Sequence, residues 1–256
     1  MFEILDDGPV RTLTIDNPGR RNAVTRGGWK RLAELLEEFE AATSRVLVIT
    51  GGGGDFCSGA DLGGDIGGLD SPLTRYGWMQ DVAVAARTLH RLPKPTVAAV
   101  DGVAVGAGMN LALGCDVVVA SDRARFSEVF VRRGLTLDFG GTWLLPRLVG
   151  PGRAKEIALT GRMVSADEAL GMGLVARVVP APELAAAAAA VAASLAAGAP
   201  AAQRFIKAGI DASLGMSFEE ALEYESQAQA ICLGTEDVVE GITAFLEKRN
   251  PDFKGR

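Results

Sequence analysis

The sequence predicts an α/β fold with mainly parallel strands followed by a helical C-terminus. Three compact apolar runs, at 46–50, 96–104 and 116–120, have the composition of strands buried on both faces. Helix-forming stretches at about 27–42, 73–92 and 106–113 alternate with them, the pattern of parallel crossover units. From Pro151 onward the texture becomes nearly all helical.

Taken in order, residues 10–15 alternate apolar and polar, and Asn17-Pro18-Gly19 breaks that strand. Trp29, Leu32, Leu35, Leu36 and Phe39 recur at helical spacing, so 27–42 reads as an amphipathic helix. Four glycines, Gly51 to Gly54, end the strand at 46–50. Pro93 and Pro95 stop the helix at 73–92. The run 96–104 reads as one buried strand leading directly into a helix at 106–113. Later, Ser165-Ala166-Asp167-Glu168 and Ser217-Phe218-Glu219-Glu220 read as capping boxes. Helices are expected at 183–197, 200–214, 217–232 and 236–248, the first built on an alanine run that favours helix. The chain therefore divides into an α/β core at 1–198 and a helical region at 199–256, placed to pack on the core or on a partner subunit.

A chain of 256 residues buries a substantial core in one large domain, or in a domain with an appendage. Its formal charge of -6 argues against non-specific nucleic-acid binding, which needs a basic face. Cys57, Cys115 and Cys232 are widely separated and His90 is the single histidine, so no metal site of the usual Cys/His spacing is expected. Sparse cysteines fit a reducing compartment. The acidic start, Met1-Phe2-Glu3-Ile4-Leu5-Asp6-Asp7, lacks the regions of a signal peptide. The alanine-rich stretch 184–197 is too short to span a bilayer. The expectation is a cytoplasmic protein with no membrane partner.

Chemistry-bearing patterns are few. Gly51 to Gly54 lack the Gly-Lys-Ser/Thr ending of a phosphate loop, since Asp55-Phe56-Cys57 follows. A Ser/His/Asp triad rests on His90 alone, and a lone histidine reads more readily as a surface or packing residue. Two segments say more: Asp55-Phe56-Cys57-Ser58-Gly59-Ala60-Asp61-Leu62 and Val100-Asp101-Gly102-Val103-Ala104-Val105-Gly106-Ala107-Gly108-Met109-Asn110. Each places small residues just after a buried strand. On the residues alone they are either tight turns that need glycine or places where a ligand approaches backbone N–H groups. Two N–H groups converging on one oxygen make an oxyanion hole.

These segments resemble the two signature loops of the enoyl-CoA hydratase/isomerase (crotonase) superfamily. The turn Asn17-Pro18-Gly19-Arg20-Arg21-Asn22-Ala23, the strand Leu92-Pro93-Lys94-Pro95-Thr96-Val97-Ala98-Ala99-Val100, the stretch 126–150 and the end Ala244-Phe245-Leu246-Glu247-Lys248-Arg249 resemble the family in the same order. The resemblance implies a spiral of ββα units with a C-terminal helical trimerisation region, as a homotrimer or dimer of trimers. It implies an acyl-CoA thioester as substrate, with the thioester oxygen held by the N–H groups of Ala60 and Ala107, preceded by Gly106. Coenzyme A, entering as part of the substrate rather than as a cofactor, should lie along Arg21, Ala23, Ser58, Asp61 and Leu62. Arg20 and Arg21 are candidates for its phosphates. Phe245 and Lys248 match positions that approach it from a neighbouring subunit.

Which reaction follows depends on the acid or base facing the α-carbon. Hydratases of the family use two glutamates, and Asn110 and Phe130 stand at those positions. Neither transfers a proton. The stretch from Phe130 through Asp138-Phe139-Gly140-Gly141 to Arg147 instead resembles the isomerase branch, including phenylacetate-pathway isomerases. There an aspartate before Gly-Gly shuttles the proton, and Asp138 occupies that position, although Leu137 replaces a common proline. A capping or turn-forming role is the alternative for Asp138. Glu128 either faces the pocket or pairs with Arg132 or Arg133. An enoyl-CoA isomerase is the first expectation. An atypical hydratase and an acyl-CoA binding protein without turnover are the alternatives. The acyl pocket wall is expected from 63–80, where Gly63, Gly64, Gly67 and Gly68 suggest a mobile loop, with Trp78, Met79, Phe130, Phe139 and Trp143 as possible lining.

Overall fold

The structure, a computed structural model, describes residues 1–63 and 71–256. It opens with an antiparallel hairpin, β1 (Phe2–Asp7) on β2 (Val10–Ile15), in which Phe2 faces Ile15. β1 was not anticipated. It is an edge strand exposed everywhere but Phe2, so it has no buried face for the sequence to betray. α1 (Arg26–Ala41) begins where Thr25 Oγ accepts from Gly28 N at 3.2 Å, and it buries Trp29, Leu32, Leu35, Leu36 and Phe39. β3 (Val46–Gly51), α2 (Pro72–Arg91), β4 (Thr96–Val100), β5 (Val103–Val105), α3 (Ala107–Leu113), β6 (Val117–Ser121) and β7 (Arg125–Ser127) follow. A 3-10 turn at Val129–Arg133 then leads to α4 (Gly141–Thr160), β8 (Val164–Ser165), α5 (Ala166–Met172) and β9 (Arg177–Val179). The rest is α6 (Leu184–Ala196), α7 (Pro200–Ser213), α8 (Phe218–Leu233) and α9 (Glu236–Glu247).

The strands form two layers. One sheet has the order β1-β2-β3-β4-β6-β9, parallel apart from β1. The other pairs β5, β7 and β8, with single bridges from Val24 to Ala60 and from Cys57 to Ala104. Successive passes of the chain lay a strand in the first sheet, step into the second layer and return through a helix. This is the spiral of ββα units that the resemblance implied. The segments that cross between the layers are the ones that carry the small-residue motifs.

The single strand expected at 96–104 is in fact two. The chain turns at Asp101 and Gly102 (φ +54°), so β4 joins the first sheet and β5 the second. Asp55 Oδ1 accepts from Val103 N at 2.9 Å and fixes the turn. The apolar run hid it because both halves are largely buried. The capping box at Ser165 is only half present: Ser165 Oγ accepts from Glu168 N at 3.2 Å, whereas the Glu168 carboxylate accepts from Arg162 instead. At Ser217 both halves form, with bonds of 3.2 and 2.7 Å. Trp78 and Met79, expected as possible pocket lining, lie on α2, which corresponds to the helix expected at 73–92. Gly64, Gly67 and Gly68 lie outside the described residues.

One core cluster fills the space between the two layers and α1, α2 and α3. A second lies on the other face of the first sheet, where Ala188, Ala192 and Ala196 of α6 pack on Val48, Val97 and Val119. Spacing by four puts these alanines on one stripe of the helix. No single helix among the described residues is long and apolar enough to cross a membrane.

Candidate functional site

The two motif loops lie side by side. Phe56 N and Cys57 N donate to Val103 O at 3.1 and 2.9 Å, and Val105 N donates to Cys57 O at 3.0 Å. A Cβ on Gly108 would strike the Cys57 carbonyl oxygen, so only glycine permits this approach. On the other side, Val24 N donates to Gly59 O at 2.8 Å and Asp61 N donates to Val24 O at 2.9 Å. Val24 thus bonds the groups flanking Ala60, and the parallel pattern turns the Ala60 N–H away from Val24. There α3 begins. Gly59 (φ +92°) comes so near that a Cβ on it would lie 3.4 Å from Ala107 N. The Ala107 N–H is the first of α3, and a first-turn N–H has no partner within its own helix. Two backbone donors are therefore presented from adjacent loops, the arrangement an anionic oxygen requires. Cys57 is not a nucleophile beside them, because complete burial pushes its thiol up to about 12.

The turn at 20–23 is bound to the first loop. Ser58 N donates to Arg21 O and Ser58 Oγ to Arg20 O, both at 2.9 Å. Arg21 and Asn22 take positive φ of 47° and 59°. Asn22 is the residue that sequence reasoning missed. Buried between the loops, it donates to Gly52 O at 2.8 Å and Asp55 O at 2.6 Å, and accepts from Asn17 N at 2.9 Å. An asparagine inside a turn tolerates the left-handed region and bonds backbone, which was the available signal. Arg21, Ala23, Ser58, Asp61 and Leu62 lie on these two bonded segments. The Arg20 guanidinium lies 3.9 Å from Asp61 and that of Arg21 3.8 Å from Asp55, and both arginine side chains remain mostly exposed.

A buried polar cluster stands beside the start of α3. Asn110, one turn along from Ala107, donates through Nδ2 to Asp138 O at 3.0 Å and to Glu128 Oε2 at 3.4 Å. Gly141 allows this, since a Cβ there would overlap the Asn110 amide. Asp138 does not cap α4, whose N-cap is Gly140 with no side-chain bond. The Asp138 carboxyl is instead left with Oδ1 buried and unpartnered among the described residues, as are Glu128 Oε1 and Asn110 Oδ1. Burial pushes the Asp138 carboxyl up to about 7. Burial also pushes Glu128 up to about 8, helped by the Asp138 charge and opposed by the Asn110 bond. Phe139, next to Asp138, holds a positive φ of 46° and packs on Trp29, with ring centroids 5.3 Å apart. The Phe130 ring lies against Gly106. Arg132 donates to Thr160 O rather than to Glu128. Two carboxyls pushed toward neutrality and held against α3, the helix that opens on the Ala107 N–H, are equipped to move a proton beside a stabilised oxyanion.

Other candidates lie elsewhere. His90 meets the Trp143 ring edge-on at 5.1 Å, a packing role. Phe245, 81% exposed, and Lys248 stand at the end of α9, which packs against α8. Among the described residues no group of three or more His, Cys, Asp or Glu side chains is placed to hold a metal ion.

Comparison with known proteins agrees with this geometry. The profile of the enoyl-CoA hydratase/isomerase family matches residues 7–256. The 1,2-epoxyphenylacetyl-CoA isomerase of Escherichia coli is 38% identical, over 96% of this chain and 95% of its own. The short-chain-enoyl-CoA hydratase of Clostridium acetobutylicum is 37% identical, over 98% and 96% respectively. Among solved structures, an enoyl-CoA hydratase from Bacillus anthracis superposes with a TM-score of 0.94 at 32% identity, covering 100% of this chain and 99% of that one.

Proposed function

Because the chain belongs to the enoyl-CoA hydratase/isomerase family, its substrate is an acyl-CoA thioester, and we propose that it is an isomerase that shifts the double bond of an enoyl-CoA. The observation that carries this reading is Asp138: a carboxyl whose Oδ1 is buried without a partner among the described residues, pushed up to about 7, beside the start of α3. In the proposed reaction the N–H groups of Ala60 and Ala107 hold the thioester oxygen. Asp138 removes a proton from the α-carbon of a 3-enoyl-CoA, and charge develops on that oxygen. The same carboxyl then returns the proton at the γ-carbon. A group poised near 7 both takes and releases a proton at little cost, which a strongly ionised aspartate does not. The proposed reaction needs no metal or redox cofactor, and coenzyme A enters as part of the substrate.

Coenzyme A would run along Arg21, Ala23, Ser58, Asp61 and Leu62, with Arg20 and Arg21 free to meet its phosphates. Phe245 and Lys248 would complete the site from a neighbouring copy in a homotrimer or dimer of trimers. Hydration is the second reading. The second buried carboxyl, Glu128, and the Clostridium relative's name favour it. Against it, the amide of Asn110 is already engaged and Phe130 offers no proton at the positions where the family's hydratases carry glutamates.

The test is to offer 3-enoyl-CoA and 2-enoyl-CoA and to follow the conjugated thioester absorbance, with Asp138→Asn as control. Conjugation of the 3-enoyl ester that vanishes in the variant supports the proposal. Activity that survives the substitution removes Asp138 from the chemistry. Rapid hydration of the 2-enoyl ester establishes the hydratase reading. Tight binding of CoA esters without turnover establishes a binding protein.

A further inference from the structure

Glu128 is the titratable member of the polar cluster that the proposed reaction does not use. Its side chain is fully buried. Oε1 has no partner among the described residues, and Oε2 receives only the 3.4 Å bond from Asn110 Nδ2, a donor shared with Asp138 O. Each element packed around it supplies little charge. α3 contributes the neutral Asn110. The 3-10 turn contributes Arg132 and Arg133, both exposed, with Arg132 bonded to Thr160 O. Beyond α4, Arg162 is committed to Glu156 and Glu168. The segment before α4 contributes Asp138, the charge that bears on Glu128.

An ionised Glu128 would be a buried anion beside a second carboxyl, with no cation paired to it among the described residues. The neutral acid resolves this differently. Asn110 Oδ1, Glu128 Oε1 and Asp138 Oδ1 are all acceptors without donors among the described residues. A protonated carboxyl is the one state of these side chains that adds a hydrogen to such a set.

Resting on the isomerase reading, we propose that Glu128 is a positioning residue that stays a neutral acid throughout turnover, its hydrogen closing the cluster with Asn110 and Asp138, so that Asp138 is the cluster's only ionising group. The balance is simple. The α-proton passes to Asp138 and from Asp138 to the γ-carbon, while the Glu128 proton is never transferred. Ionising Glu128 would set a second negative charge against the developing enolate, and turnover would fall.

The first measurement is kcat against pH for isomerisation of a 3-enoyl-CoA, in the wild-type protein and in Glu128→Gln, which removes the ionisation and keeps the shape. The wild-type profile should be bell-shaped, with an alkaline limb near the Glu128 value of about 8. The variant should keep the acid limb and lose the alkaline one. An unchanged alkaline limb overturns the proposal.

The second measurement needs no activity. A carboxyl whose folded value lies above its unfolded value stabilises the fold at low pH, and that stability is lost as pH rises through the folded value. Tm should therefore fall less in Glu128→Gln than in wild type between pH 4.5 and about 8. Equal slopes overturn the proposal, even if the protein turns out not to be an isomerase. If the variant does not fold, carbon-13 NMR of the glutamate-labelled wild type decides. One carboxyl should titrate well above the rest, and its absence overturns the assignment.

Discussion

At the scale of single residues, Asp138 and its surroundings set the most direct expectations. Asp138→Asn keeps the shape and removes the base, so kcat should fall by about 10²- to 10⁴-fold, the usual worth of a positioned acid–base group. KM should change little, because the carboxyl contributes to proton transfer rather than to binding. The pH dependence has a definite sign. Asp138 must be ionised to accept the α-proton, so wild-type kcat should climb as pH rises through about 7. A profile already flat below pH 6 would remove this role. Asp138 was legible in the sequence because it precedes a Gly-Gly pair in a recognisable stretch. Glu128 was only half legible. It stands two residues before Phe130 and four before Arg132, and charged side chains in such company usually face solvent. Only the three-dimensional placement shows that the arginines turn outward and the acid inward. The part played by Asn110 was not legible at all, since its contacts with residues 128 and 138 are created by the tertiary fold.

At the scale of elements, the site depends on how closely the first motif loop approaches α3. Gly108 is the point of contact, its α-carbon facing the Cys57 carbonyl. Gly108→Val should force the loops apart, costing about 1–3 kcal/mol by overpacking. It should also weaken binding of a non-reactive CoA ester, by separating the Ala60 and Ala107 donors. Thermal melting and titration calorimetry read the two effects. Loss of stability with unchanged affinity would show that the donors do not act together. Helices with caps and one-sided apolar stripes, such as α1, α8 and α9, were readable to within a residue or two, because their caps and stripes are local. The break between β4 and β5 was not. The turn is held by the bond that Val103 N donates to Asp55 Oδ1, made across a sequence separation of 48 residues, and the surrounding run stays apolar on both sides of the turn. The small-residue motifs were legible because close backbone approach demands such residues. What lies on the far side of each approach was not.

At the scale of the whole molecule, the C-terminal helices present more apolar surface than one chain covers. Ile206, Ile210 and Leu214 recur every four residues along and just beyond α7, at 60%, 67% and 68% exposure. Val239, Ile242, Phe245 and Leu246 on α9 are exposed as well. Between α7, α8 and α9 lies an open cavity of about 800 Å³ lined by Phe205, Ile206, Ile210, Tyr224 and Ile242 among others. Exposed apolar surface on this scale marks an interaction site. The proposed trimer gives it an occupant, a second copy of this chain. The same assembly would carry Phe245 and Lys248 from the end of α9 to a neighbour's coenzyme A. Two consequences then separate. Ile206→Asp with Ile210→Asp buries no charge in the isolated chain, since both positions are exposed, so the monomer should remain folded. Light scattering should show three or six copies for the wild type and one for the double variant. Phe245→Ala should leave the assembly intact and raise KM for the CoA ester while changing kcat little, because its ring would touch the carrier and not the reacting carbons. A wild-type monomer with full activity would show that each site is complete within one chain, and that the apolar face of α7 serves some other contact.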